Sequence, residues 1–74
     1  MWATNLEKAR FFRANLTGIT LRKAILSGTD FREANLTGAD LREAKLQDAD
    51  FTGANLKQAD LTGADLRGVC GLKP

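Results

Sequence analysis

Carboxylates are the residues best suited to chemistry in this sequence. There are nine Asp and Glu, and four of them, Asp30, Asp40, Asp50 and Asp60, recur at intervals of ten. Two carboxyl groups held about 5 Å apart form the acid and nucleophile pair of a retaining glycosidase. Most other catalytic sets are closed. Histidine and tyrosine are absent, and Cys70 is the single cysteine. That removes Ser-His-Asp and Cys-His catalysis, zinc sites of the His or Cys₄ type, and any internal disulfide. Cations are the second candidate group. Residues 1–23 hold five (Lys8, Arg10, Arg13, Arg22, Lys23) against Glu7 alone, yet the whole chain carries only +2. So small a net charge does not demand a nucleic-acid or membrane partner. Whether any of these side chains meet depends on the elements that carry them.

Those elements are set by a repeat of five. Leu or Phe stands at every fifth position from Leu6 to Leu66, thirteen centres in all. Two residues before each centre the side chain is small, Ala in ten cases, with Thr4, Ile19 and Thr29 the exceptions. Asp or Asn usually precedes the centre, and two polar, charged or Gly residues follow it, as in Leu36-Thr37-Gly38. The repeat runs over residues 4–68 of the 74, with short caps at 1–3 and 69–74, so the chain reads as one small domain.

A period of five suits neither regular element. On an α-helix a step of five turns about 140°, which scatters the centres around the cylinder. On a flat strand it sends successive centres to opposite faces. The chain must instead turn once per pentad. A short extended stretch points the centre and the small residue inward, and the polar pair makes the corner. The number of sides follows from Phe11, Phe31 and Phe51, which are twenty residues apart among centres that are otherwise Leu. Four pentads per coil stack the three rings on one side. Ala14-Asn15-Leu16-Thr17-Gly18 recurs at 34–38, which supports the same period. The expectation is an all-β, four-sided solenoid of about three coils.

The chain resembles the pentapeptide-repeat family, whose signature is Ala-(Asp/Asn)-Leu-X-X. Residues 39–41, 54–56, 59–61 and 64–66 are literal copies of it. The resemblance implies a right-handed quadrilateral β-helix and a bacterial-type protein. Family members are known for interaction roles, and some are rod-like mimics of DNA that bind bacterial type II topoisomerases and confer quinolone resistance. Such mimicry needs a long acidic shaft, whereas this chain is short and carries +2.

On four sides, Asp30 lies under Asp50 and Asp40 under Asp60, each pair one coil apart. The simpler reading of these carboxylates is the repeat code itself, with side-chain oxygens capping corner N–H groups. Convex coils offer no sugar pocket. Asn15, Asn35 and Asn55 form a column whose amides are expected to bond to one another along the axis. Arg22 and Arg42 form a column of like charge, a candidate contact for an anionic partner. Phe12 and Ile25 break the outward polar pattern. Arg32, one coil above Phe12, is expected to stack on it, and Lys45 to lay its stem over Ile25.

At the ends, Trp2 is expected to fold over the first coil. Val69 keeps the small-site position, Gly71 replaces a centre, and Leu72 is expected to cover the last coil. Cys70 reads as a buried, inert cap residue. Open coils leave unpaired strand edges that invite association.

These readings converge on a non-enzymatic protein-interaction or scaffold module in the cytoplasm. It has no cofactor, metal, small-molecule substrate or membrane partner, and its charge argues against nucleic acid. Its partner is a protein or a second copy meeting the coil ends. The candidate interaction residues are Trp2, Phe12, Ile25, Arg22, Arg42, Val69 and Leu72. The alternatives are a topoisomerase-binding DNA mimic and a fragment of a larger repeat protein.

Overall fold

A computed structural model describes residues 4–72, and the chain turns once in every pentad. Each residue before a centre forms a parallel bridge with the residue twenty positions on, from Asn5 with Ile25 to Asp50 with Cys70. A repeat distance of twenty means four pentads per coil, the number expected from the Phe spacing. The first side carries Leu6, Leu26, Leu46 and Leu66. The second carries Phe11, Phe31 and Phe51, the third Leu16, Leu36 and Leu56, and the fourth Leu21, Leu41 and Leu61.

Three backbone hydrogen bonds join each side to the coil above. On the first side, Leu6 N–H donates to the Ile25 carbonyl at 2.7 Å. Ile25 N–H returns to the Thr4 carbonyl at 2.8 Å, and Lys8 N–H reaches the Ser27 carbonyl at 2.9 Å. Between sides, the small residue closes the corner, as when Ala9 N–H donates to the Leu6 carbonyl at 3.0 Å. The second residue of the corner has positive φ, the mark of a type II turn. Gly fills this place in six corners, but Lys8, Arg13, Lys23, Glu33, Glu43, Asp48 and Gln58 fill the others at φ 56–62°. A left-handed L-residue costs roughly 1–2 kcal/mol. Seven persist because the rungs on both flanks hold the turn closed. At Gly71 the requirement is steric as well. Its φ is +80°, and a Cβ there would run into the backbone of Phe51 and Thr52. That is why a centre residue gives way to Gly at the top of the Phe column.

The core fills the tube between Leu21 and Phe51. Leu21, Leu26, Phe31, Leu36, Leu41, Leu46 and Phe51 are fully enclosed, together with the Ala residues at the small sites. Full burial of each large side chain contributes about 1.5–3 kcal/mol. The rings of Phe11, Phe31 and Phe51 stack, with centroids 5.5 and 4.9 Å apart and planes 17° and 5° from parallel. Thr29 is the one buried polar residue among those described, and its hydroxyl donates to the Leu6 carbonyl at 3.1 Å. Ile19 stays half-buried at a small site of the first coil, below the enclosed Ala39. The end coils are less enclosed. Leu6, Phe11, Leu16, Leu56 and Leu61 are half-buried, and Leu66 is 37% exposed.

Candidate functional site

The residue before each centre points outward and turns its side-chain oxygen back onto its own corner. Asp30, Asp40, Asp50, Asp60 and Asp65 each accept the backbone N–H two residues on. Asn15, Asn35 and Asn55 do the same. This is an Asx turn. The residue two positions on then adds its side chain. Arg32 grips Asp30 through two nitrogens at 2.9 Å, and Arg42 grips Asp40 at 2.9 and 2.8 Å. Arg67 holds Asp65 in the same way, while the hydroxyls of Thr52 and Thr62 donate to Asp50 and Asp60. The expected amide ladder is replaced by this geometry. The oxygens of Asn15 and Asn35 serve Thr17 and Thr37 of their own pentads. A bond to a neighbour two residues away in the chain is preorganised by the turn, whereas an axial bond between amides is not.

The stacked carboxylates are therefore held as bases that stay ionised. Asp30 faces Asp50 and Asp40 faces Asp60 as bridge partners, but none resembles an acid catalyst, which needs a carboxyl raised toward neutral pH. The Arg42 side chain, then its backbone N–H, lowers Asp40 to about 2. Asp30 and Asp65 are lowered by their Arg partners, and Asp50 and Asp60 by their Thr partners. The sign of the pH dependence follows. A carboxyl lowered on folding contributes stability above its unfolded value near 4, and loses it as pH falls through the folded value. Denaturation midpoints should thus hold steady from neutral pH to about 5 and fall from there toward about 2. Asp40→Asn keeps the corner acceptor, and should flatten part of that fall. A midpoint unchanged between pH 5 and pH 2 would contradict the assignment.

Phe12 is the most exposed large apolar residue described, at 46%. Two guanidinium groups lie over its ring. The Arg13 and Arg32 carbons sit 4.9 and 5.0 Å from its ring centroid. Stacking of Arg32 on Phe12 matches the expectation from the sequence. The clamp by Arg13 comes from the left-handed corner, which aims that side chain along the face. Arg13 also reaches Glu33 at 3.1 Å, and Arg32 is fixed by Asp30, so the ring rests in an ordered charged frame. Arg22 and Arg42 do not stand as a bare cationic column. Arg42 is bound to Asp40, and Arg22 approaches Glu43 at 3.7 Å. Ile25 is half-buried between Asn5 below and Lys45 above.

At the upper end Val69 and Leu72 are half-buried against the core. Cys70 departs from expectation, since it is exposed. It continues the outward column of Asp30 and Asp50 because the bridge register persists to residue 70 even though the centre pattern stops at Leu66. Trp2, expected to cover the first coil, lies outside the described residues. No group of three or more Cys, Asp or Glu suited to a metal ion occurs among the described residues. No described helix is long and apolar enough to cross a membrane.

The model of pentapeptide repeats matches residues 2–28, 9–48 and 34–70, eight copies in all. The chain belongs to the pentapeptide-repeat family. Two solved structures of pentapeptide-repeat proteins agree. Rfr23 from the cyanobacterium Cyanothece 51142 is 30% identical and superposes with a TM-score of 0.87 over 92% of this chain and 47% of its own. A protein of the Arabidopsis thaliana thylakoid lumen is 34% identical, with a TM-score of 0.58 over 97% of this chain and 53% of its own. A search of curated proteins found no match. This pentapeptide-repeat chain thus spans about half the length of both structural neighbours. Its coil is the right-handed quadrilateral β-helix of the family.

Proposed function

We propose that this chain is a non-enzymatic protein-interaction or scaffold module, binding through outward residues that the solenoid holds rigid. The observation that carries this reading is Phe12, an exposed ring held under the guanidinium groups of Arg13 and Arg32 at a corner of the coil. An aromatic and arginine cluster that is already ordered loses little entropy on binding, and such residues dominate interface energetics. Ile25 on the first side and Val69 and Leu72 at the upper end add apolar area, with Trp2, Arg22 and Arg42 as further candidates. The lowered carboxylates support a structural role for the acidic columns. Work in the cytoplasm belongs to the same reading and rests on the single cysteine, which leaves no internal disulfide to form.

The test is capture of partners by the immobilised chain, with and without Phe12→Ser. Retention should fall about tenfold or more, as for a hot-spot residue, while the far-ultraviolet circular dichroism stays unchanged. Capture untouched by the substitution would remove the argument. A DNA mimic that acts on a type II topoisomerase is disfavoured by the +2 charge. Inhibition of supercoiling at near-stoichiometric protein would promote that alternative instead.

A further inference from the structure

We infer that Asn15 and Asn35 are acceptor sites for an N-linked sugar, transferred by a partner enzyme from a glycosyl diphosphate. This goes beyond the interaction-module reading and does not depend on it.

Two pentads carry the residue pattern that such a transfer uses. Asn15-Leu16-Thr17 and Asn35-Leu36-Thr37 are both Asn-x-Thr with no Pro between, the pattern of an N-glycosylation acceptor. The copies are twenty residues apart, so both stand on the third side, with the two Asn residues as bridge partners. Both Asn residues are exposed.

Geometry separates these two from the other asparagines. Asn5, Asn15, Asn35 and Asn55 each accept the backbone N–H two residues on, at 3.0–3.2 Å. At Asn15 and Asn35 the Thr hydroxyl adds a second donor to Oδ1, at 2.7 and 2.6 Å. Asn5 and Asn55 have Glu7 and Lys57 in that place, which bring no hydroxyl. Two donors fix the oxygen of the amide on the corner. The Nδ2 of Asn15 and of Asn35 meets no hydrogen-bond acceptor among the described residues. The corner beside each amide is bare. Gly18 and Gly38 follow the Thr residues, and a Cβ at either would meet no atom within 4 Å. An approaching sugar finds no side chain there to displace.

The chemistry balances without an oxidant or reductant. Nδ2 attacks the anomeric carbon, and the bond from that carbon to the diphosphate oxygen breaks. The diphosphate leaves with the electron pair, and Nδ2 gives one proton to a base of the transferring enzyme. As the proton leaves, negative charge spreads from Nδ2 onto Oδ1. The Thr N–H and O–H already point at that oxygen, and donors preorganised where charge develops lower a barrier. Nucleotide-linked and lipid-linked sugar diphosphates share this reactivity.

The test offers the folded 74-residue chain both donors. One arm uses a nucleoside-diphosphate glucose with a soluble N-glycosyltransferase. The other uses a lipid-diphosphate oligosaccharide in vesicles with a membrane oligosaccharyltransferase. Circular dichroism checks that each acceptor chain is folded before the reaction. Intact mass should rise by at least one sugar, and peptide mapping should place it on Asn15 or Asn35, never on Asn5 or Asn55. Transfer from the nucleotide-linked donor fits work in the cytoplasm, and transfer from the lipid-linked donor alone assigns the reaction to a membrane-bound enzyme. Asn15→Gln or Asn35→Gln alone should leave an acceptor, and the two together should leave none. Thr17→Val with Thr37→Val keeps the backbone N–H contacts but should slow transfer about a hundredfold. Thr17→Ser with Thr37→Ser restores the hydroxyls and should recover most of the rate. No transfer from either donor, transfer that survives both Gln substitutions, or a Val pair as fast as the parent would each overturn the inference.

Discussion

Replacing Phe31 by Ala should remove about 3–5 kcal/mol of stability. Its ring is fully enclosed and sandwiched between Phe11 and Phe51, with centroids 5.5 and 4.9 Å away. Truncation therefore opens a void with an aromatic floor and roof in a tube whose backbone cannot collapse, since every rung is fixed by the coils above and below. A small domain has about 5–15 kcal/mol in total, so the loss would consume much of the margin. Phe31→Leu should cost far less, since Leu is the usual centre. What remains is the stacking contribution, about 0.5–1.5 kcal/mol per aromatic pair. Urea unfolding followed by circular dichroism measures both. An Ala variant within about 1 kcal/mol of the parent would mean that the ring column does not carry the core.

The second large effect is at Leu36. This side chain is fully enclosed in the middle coil, between Leu16 below and Leu56 above. Leu36→Ala should cost about 2–5 kcal/mol. Lys57→Ala, at an exposed corner position, should cost under about 0.5 kcal/mol. The contrast tests the assignment of inward and outward positions directly. Equal effects from the two substitutions would show that assignment to be wrong. Repeat architectures spread stability over neighbouring units, so a middle-coil lesion weakens both interfaces it touches, whereas Leu66, 37% exposed, meets one coil among the described residues.

Much of the architecture was legible because a single period controls it. Leu6 to Leu66 mark the inward side chains, the Ala residues mark where the backbones converge, and Phe11, Phe31 and Phe51 count the sides. These are local facts of size and spacing, and packing has no second solution for them. The capping role of Asp and Asn was legible for the same reason, since donor and acceptor lie two residues apart. Three features were decided only by the folded chain. Seven non-Gly corners adopt left-handed φ, a state their residue types disfavour and only the flanking rungs enforce. Cys70 is exposed because the backbone register outlasts the centre pattern. Arg13, the neighbour of Phe12 in sequence, joins the stacking of Arg32 that the sequence leads us to expect. This arrangement exists because the coil brings residues twenty apart to bridge distance while the left-handed corner turns Arg13 along the same face. Periodicity fixes which way a side chain points. The partners it meets there depend on corner geometry and on stacking between coils, which arise only when the tube closes.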